Sequence, residues 1–258
     1  MKILFIGDTV ARAGREFVQK HLNPLKEEYE IDLTILNCEN VAGGFGVTPK
    51  IADELLGWGI DVLTSGNHIW DKKEIFDYLD AQDRILRPSN YPPGNPGRGR
   101  VIVNSRTGDS VAVVNIQGRV FMPPIDDPFR SVDAELAALP EEVRIIVVDF
   151  HAEATAEKVA MGWHVDGRAS ALLGTHTHIP TADGRILPQG LAYQTDVGMT
   201  GPFDSVIGMT RDSVMERFHK QIPVRFQVAS KGVELNAVVI DVDPRTGKAR
   251  SIERVHRK

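Results

Sequence analysis

The chain has 258 residues, 42% of them hydrophobic and 25% charged, which is enough for one large domain with a substantial core. The formal net charge is −5 and the basic residues are scattered, so the sequence predicts no extended surface for binding long nucleic acids. No apolar stretch approaches the ~20 residues of a membrane-spanning helix, and the single cysteine, Cys38, excludes an intrachain disulfide, so we expect a cytoplasmic protein without membrane contact.

The first third of the chain alternates between short apolar segments and amphipathic segments. The predicted strands cover residues 2–7, 31–37 and 61–65. The predicted helices cover residues 13–29, 48 to about 57 and 73–80. The second helix begins at Thr48-Pro49, where a capping hydroxyl is followed by proline at the first helical position. This order of strands and helices implies a parallel sheet with helices on its faces.

The middle of the chain has a different composition. Residues 88–99 are rich in proline and glycine and are predicted to form a loop. Two strand-like segments then flank Thr107-Gly108-Asp109, which is typical of an antiparallel hairpin. Further strands are predicted at 144–150, 171–174, 191–195 and 234–243, and helices at 129–139 and 154–162. Two packed sheets in one α/β sandwich explain this mixture best, and we expect a single domain over residues 1–258.

Side chains that can bind metals follow five of the predicted strands. They are Asp8, Glu39-Asn40, Asn67-His68, His151 and the pair His176 and His178. Because the carboxyl ends of parallel strands gather at one edge of a sheet, we expect these side chains to meet. The His-x-His pair is the strongest single indicator, since two imidazoles on a tight turn can point to neighbouring metal ions.

Each of these residues also has an ordinary structural explanation. Asp8 could cap the following helix, and Glu39 and Asn40 could be loop residues. Asn67 could occupy a left-handed turn position, and His151 could be a buried, hydrogen-bonded histidine. Those explanations would have to hold at five strand ends at once. A shared metal site is therefore the better hypothesis.

The order of the motifs resembles the calcineurin-like metallophosphoesterase family. The matching segments are Gly7-Asp8, Gly66-Asn67-His68, the isolated His151 and Gly174-Thr175-His176-Thr177-His178. Two departures are similar to the YmdB-type branch of that family. Asp8 is followed by Thr9-Val10 without the usual histidine, and Glu39 with Asn40 replaces the usual bridging aspartate. Thr181-Ala182-Asp183 and the segment Gln194–Met199 extend the resemblance over almost the whole chain.

The resemblance implies a fold, a metal site and an activity. The fold would be the calcineurin-like metallophosphoesterase sandwich, with two mixed β-sheets flanked by helices. One metal would be bound by Asp8, Glu39, Asn40 and His178, and the other by Glu39 as the bridge, Asn67, His151 and His176. The implied reaction is hydrolysis of cyclic nucleotides, 2′,3′-cyclic nucleotides first, by a hydroxide held between the metals. His68 would be the general acid and not a ligand.

The donor set itself indicates which metals are suitable. Only Asp8 and Glu39 are anionic, so two divalent ions would leave a positive site suited to a phosphodiester. Imidazole-rich sites favour Fe, Mn, Zn or Co over Ca or Mg. The resemblance makes iron the first choice, with manganese next.

Other functions remain open at this stage. A protein phosphatase or a nuclease could use the same fold and metals. A regulatory protein that senses a nucleotide with little turnover is a different class, but it would not need a general acid such as His68. An amidohydrolase barrel also uses His-x-His, but after its first strand. We expect a small nucleotide as the substrate, and the oligomeric state, a homo-oligomer included, stays open.

Several other residues are assigned no chemistry. Cys38 is predicted to be a small buried residue at a strand end. The glycine-rich segment Val41–Val47 could approach the substrate closely, but it lacks the lysine of a phosphate-binding P-loop. His164 either orients the substrate phosphate or pairs with an ordinary acidic partner. His21, His219 and His256 are interpreted as structural or exposed.

Overall fold

The computed structural model describes residues 1–258 and contains two β-sheets of six strands each. The strands are β1 (Lys2–Ile6), β2 (Leu33–Asn37), β3 (Val62–Thr64), β4 (Arg100–Asn104), β5 (Ser110–Gln117), β6 (Ile145–His151), β7 (Ala171–Thr175), β8 (Arg185–Ile186), β9 (Ala192–Gln194), β10 (Gly201–Pro202), β11 (Val233–Val242) and β12 (Ala249–Arg257). The helices are α1 (Ala11–Tyr29), α2 (Pro49–Gly57), α3 (Phe76–Ala81), α4 (Pro128–Ala137), α5 (Thr155–Val165) and α6 (Arg211–Lys220). None of the helices combines the length and apolar character needed to cross a membrane.

Both sheets are mixed. In the first sheet the order is β10-β11-β1-β2-β3, with β12 paired to β11. Here β1, β2 and β3 are parallel, and β11 runs antiparallel to β1. In the second sheet the order is β4-β5-β6-β7-β9-β8, with a parallel centre and antiparallel edge strands β4 and β8. The predicted architecture of two mixed sheets flanked by helices is confirmed.

Alternate side chains of each central strand pack into different layers. In β1, Ile3 and Phe5 lie between the two sheets, whereas Leu4 and Ile6 pack with the buried faces of α1 and α2. The side chains of β5 and β6 alternate in the same way. Those on one face lie between the sheets, and those on the other face pack with α4 and α5. The molecule is therefore a four-layer α/β/β/α sandwich whose central layer of side chains joins the two sheets.

The structure differs from the predicted elements in several places. Helix α1 begins at Ala11, and residues 73–75 form a 3-10 turn before α3 begins at Phe76. Helix α6 was not predicted, because its sequence is mostly polar and only Ser213 and Val214 are buried. Strand β12 was not predicted either, because its polar sequence buries few side chains along the partner strand β11.

Candidate metal centre

The residues predicted to bind metal gather at one edge of the sandwich. Asp8 and Glu39 follow β1 and β2, and Asn67 begins a 3-10 turn after β3. His151 is the last residue of β6, and His176 directly follows β7. Asp8, Glu39 and His151 are buried, with 0%, 1% and 0% exposure. Titratable side chains enclosed to this degree need a partner, which is either each other or a cation.

The centre of the site is the Nε2 atom of His151. It lies 3.1 Å from Asn67 Oδ1, 3.3 Å from Glu39 Oε1 and 3.0 Å from His176 Nδ1. One N–H group cannot serve three acceptors at full strength. The ligand atoms of Glu39, His151 and His176 all lie within 4.8 Å of one another, which is the spacing expected around a shared cation.

Hydrogen bonds behind His151 fix which of its ring nitrogens faces the centre. The Thr175 hydroxyl donates to Asp149 Oδ1 at 2.7 Å, so its oxygen is available to accept from His151 Nδ1 at 2.9 Å. The Nδ1 atom then carries the proton, and the lone pair of Nε2 faces the cluster. Thr175 and Asp149 therefore hold this imidazole so that its Nε2 atom is available to a cation.

The other two histidines are held in the same manner. His176 Nε2 lies 3.1 Å from the Glu153 carboxylate, which leaves Nδ1 facing His151. His178 Nδ1 donates to the Ile207 carbonyl at 2.9 Å, which leaves Nε2 facing Asn40. Each histidine thus has one nitrogen tied to an outer acceptor and one directed inward, as in metal sites supported by outer hydrogen bonds.

Asp8, Asn40 and His178 form the second half of the site. Asp8 Oδ2 accepts the His176 backbone N–H at 3.1 Å, whereas Asp8 Oδ1 is buried without a hydrogen-bond partner, 3.9 Å from His151 Nδ1. A cation would satisfy such an orphaned carboxylate oxygen. Asn40 Nδ2 lies 3.1 Å from Glu39 Oε1 and 3.2 Å from His178 Nε2. A half turn of the Asn40 amide presents its Oδ1 atom to the same point, so this second group of donors can also face a cation.

The charges of the site interact strongly with one another. Burial lowers the pKa of His151, but the Glu39 carboxylate outweighs burial and raises the pKa to about 9. Burial would raise the pKa of Glu39, but His151 outweighs it and lowers the pKa to about 2. Burial and the charge of His151 lower the pKa of His176 to about 3. One proton is therefore held between Glu39 and His151, and a metal ion would displace it.

His68 lies beside this cluster and not within it. Its Nδ1 is 2.8 Å from Asp71 Oδ2, and its backbone N–H donates to Glu39 Oε2 at 3.1 Å. The ring lines a cavity of about 280 Å³ that is also lined by Glu39, His176 and His178. Because Asp71 occupies Nδ1, the Nε2 atom is the one that can exchange a proton with a molecule in the cavity.

The turn that carries His176 and His178 has an uncommon backbone. Both residues have positive φ, 100° and 67°, in the region that side chains other than glycine rarely adopt. Asp196 holds the turn, because its Oδ2 accepts from the Thr177 backbone N–H at 3.1 Å and hydroxyl at 2.8 Å. Lys158, fully buried, donates to the same Asp196 oxygen at 2.6 Å. Backbone strain of this kind persists only where surrounding contacts hold the conformation, and it is common at functional sites.

The roles of five supporting residues were not predicted from the sequence. They are Asp149, Glu153, Lys158, Thr175 and Asp196. Thr175 and Asp196 lie inside the motifs of the family resemblance, and Glu153 follows His151 closely, so their positions could have indicated a role at the site. Nothing in the sequence indicated a role for Lys158, because a lysine within a helical segment is usually exposed.

The residues that were assigned no chemistry lie outside the cluster. Cys38 is fully buried, as predicted, and burial raises the pKa of its thiol. His164 lies 2.8 Å from Asp133 at the surface, which is the ordinary acidic partner, and it does not line the cavity. The glycine-rich segment does reach the site, since Gly44 and Phe45 line the cavity.

The sequence and the fold are similar to those of one family of known proteins. Residues 4–255 match the family described as YmdB-like protein. The 2′,3′-cyclic-nucleotide 2′-phosphodiesterase of Bacillus subtilis (strain 168) is 52% identical over 255 residues, which cover 99% of this chain and 96% of the relative. A crystal structure of a hypothetical protein from Thermus thermophilus superposes with a TM-score of 0.93, at 40% identity, over 100% of this chain and 99% of the other. A novel phosphatase from Mycoplasma pneumoniae gives a TM-score of 0.94 at 34% identity, covering 100% and 93% of the two chains.

Proposed function

Because the chain belongs to the YmdB-like family of metallophosphoesterases, we propose that it hydrolyses 2′,3′-cyclic nucleotides at a site that holds two metals. The identity of 52% to a 2′,3′-cyclic-nucleotide 2′-phosphodiesterase over almost the full length makes this protein a phosphoric diester hydrolase. The choice of substrate within that class, the number of metals and the role of each residue are parts of the proposal.

The observation that carries the proposal is the convergence on His151 Nε2. Oxygen atoms of Asn67 and Glu39 and a ring nitrogen of His176 lie within 3.0–3.3 Å of it. The outer partners Thr175 and Glu153 hold the two imidazoles so that their lone pairs face one another. Lone pairs directed at one point repel unless a cation or a proton lies among them. This arrangement supports a metal-binding role.

We assign the ligands as two overlapping groups that share Glu39. Glu39 Oε1 lies 3.1 Å from Asn40 Nδ2 and 3.3 Å from His151 Nε2, so this carboxylate lies between the two halves of the site. The first group is Asp8, Glu39, Asn40 and His178, and the second is Glu39, Asn67, His151 and His176. The family resemblance makes iron the first choice of metal, and manganese, zinc and cobalt, which also suit imidazole donors, are the alternatives.

The protein residues have defined tasks in the proposed reaction. When bound, the two metals supply positive charge for the phosphoryl oxygens and lower the pKa of water. His68, held at Nδ1 by Asp71, has its Nε2 free to donate a proton to the departing ribose oxygen. His176 and His178 line the cavity beside His68, so a phosphodiester bound there lies within reach of both the ligands and the proton donor.

A substrate screen tests this function. Purified, metal-loaded protein should hydrolyse 2′,3′-cyclic AMP and the generic diester bis-p-nitrophenyl phosphate. Phosphomonoesters and phosphopeptides should be hydrolysed much more slowly. Activity confined to monoesters or phosphoproteins would instead support a phosphatase, the activity in the description of the Mycoplasma pneumoniae relative.

A further inference from the structure

The cavity beside the metal centre has two chemically different walls. Glu39, His68, His176 and His178 contribute to the polar wall. The large apolar side chains that line the cavity are Phe45, Ile207, Met209 and Phe226. We call these four residues the apolar wall. Small-molecule sites commonly combine such an apolar surface with a few polar groups that fix orientation.

Part of the apolar wall is open to solvent. Ile207 is 49% exposed and Phe226 is 39% exposed, although both line a concave surface. Exposing large apolar side chains in a cavity is unfavourable unless something covers them. Their position next to the proposed phosphate site indicates that the covering group belongs to the substrate.

The apolar wall is fixed to the metal centre. The Ile207 carbonyl accepts the hydrogen bond that orients His178, at 2.9 Å. Ile207 itself has a φ of 45°, which is rare for a β-branched residue. Met209 pairs with Val206 and with Val228 in isolated β-bridges, which closes the turn around Ile207. Because Ile207 is hydrogen-bonded to the proposed ligand His178, the apolar wall can hold a part of the substrate at a set distance from the reacting phosphate.

The aromatic ring of Phe45 adjoins the proposed proton donor. Its centroid lies 5.0 Å from that of His68, with the rings edge to face. If His68 donates to the ribose oxygen, the base attached to the same ribose extends along this side of the cavity. The volume of about 280 Å³ is near the lower limit of ~300–1,000 Å³ for small-molecule sites, which suits a mononucleotide.

We propose that the apolar wall is a nucleobase subsite in which the base packs against Phe226 and Phe45. This inference rests on the proposed function and names the part of the substrate that the metals do not bind. Aromatic stacking of a base contributes about 5- to 150-fold in affinity. The four side chains of the apolar wall offer no hydrogen-bonding group, so the subsite discriminates bases by stacking area. Purine nucleotides are therefore preferred over pyrimidine nucleotides.

The test compares a substrate with a base and one without. The substrates are 2′,3′-cyclic AMP and methyl riboside 2′,3′-cyclic phosphate, in which a methoxy group replaces the base. Phe226→Ala should lower kcat/KM for 2′,3′-cyclic AMP by about 5- to 150-fold, mainly through KM. The same variant should change the baseless substrate less than about twofold. Phe226→Tyr should retain the wild-type preference, because the ring is kept.

A matched control is available on the same surface. Phe218 is 64% exposed on α6 but does not line the cavity, so Phe218→Ala should leave both substrates unchanged. Equal losses on the two substrates in Phe226→Ala, or equal wild-type rates on both, would overturn the nucleobase subsite.

Failure of the proposed function would be recognised separately. In that case the wild-type protein would hydrolyse neither cyclic phosphate. Calorimetry that measures the binding of adenosine 3′-monophosphate and ribose 5-phosphate would then test whether the nucleobase subsite exists. Tighter binding of the adenosine compound that is lost in Phe226→Ala would support it, and equal binding of the two compounds would exclude it.

Discussion

At the scale of single residues, the chemistry of the site depends on side chains that do not reach its centre. His151 Nδ1 contacts Thr175, and Thr175 donates to Asp149. Asp149 also accepts from Asn37 at 3.0 Å, and burial raises its pKa to about 6. This chain of hydrogen bonds selects the tautomer of His151 that can bind metal.

Replacing Asp149 tests that chain. Asp149→Asn removes the charge that accepts the Thr175 hydroxyl, and we expect metal affinity to fall about 10- to 100-fold while the fold is kept. Metal content after dialysis against a metal buffer measures the change. Asp133→Asn is the matched control, since Asp133 contacts the surface histidine His164. Equal metal content in the two variants would show that Asp149 does not orient His151.

His68 has a different predicted role from its neighbour Asn67. His68→Ala should retain both metals, because its imidazole contacts Asp71 and not the cluster. Activity on 2′,3′-cyclic nucleotides should fall about 10²- to 10⁴-fold, since an alkoxide leaving group needs a proton. The loss on bis-p-nitrophenyl phosphate should be much smaller, because p-nitrophenolate departs unaided. Depleted metal, or equal losses on both substrates, would identify His68 as a ligand.

At the scale of elements, the candidate ligands could be predicted from the sequence better than the residues that hold them in place. The parallel order of β1, β2 and β3 is sufficient to bring Asp8, Glu39 and Asn67 to one edge of the first sheet. Strand β6 of the second sheet ends at the same edge, where His151 meets them. Chain order contains that information, so both the central strands and the candidate ligands could be predicted.

The pairing of Lys158 with Asp196 could not be predicted in this way. These residues are 38 positions apart, and nothing near either of them indicates burial of a charge. The apolar wall was missed for the same reason. Phe45 and Phe226 come from separate loops without periodicity, and only the folded chain places them on one cavity.

The buried ion pair leads to a prediction about the turn that carries His176 and His178. Lys158→Met leaves the buried Asp196 carboxylate without its cation, and we expect the free energy of unfolding to fall by about 3–5 kcal/mol. Chemical denaturation measures this loss. The matched control is Lys220→Met, whose exposed pair with Glu216 should contribute less than about 1 kcal/mol. Similar losses in the two variants would contradict the structural role of Lys158.

At the scale of the whole molecule, the proposed metals would give a positive site to a chain of negative net charge. The formal charge is −5, and the proposed ligands include the two carboxylates Asp8 and Glu39. The positive charge that attracts a phosphodiester therefore has to come from bound metal. The central layer of side chains between the sheets fixes β1 and β2 against β6 and β7, and this packing keeps the two groups of ligands in register.

The central claim is that the site binds two metals that share Glu39, and metal analysis of active protein tests it most directly. We expect two transition-metal ions per chain in protein that hydrolyses 2′,3′-cyclic AMP. Glu39→Gln should lower the occupancy of both ions together, because one carboxylate serves both groups of ligands. Full activity with a single ion per chain, or loss of only one ion in Glu39→Gln, would contradict the account.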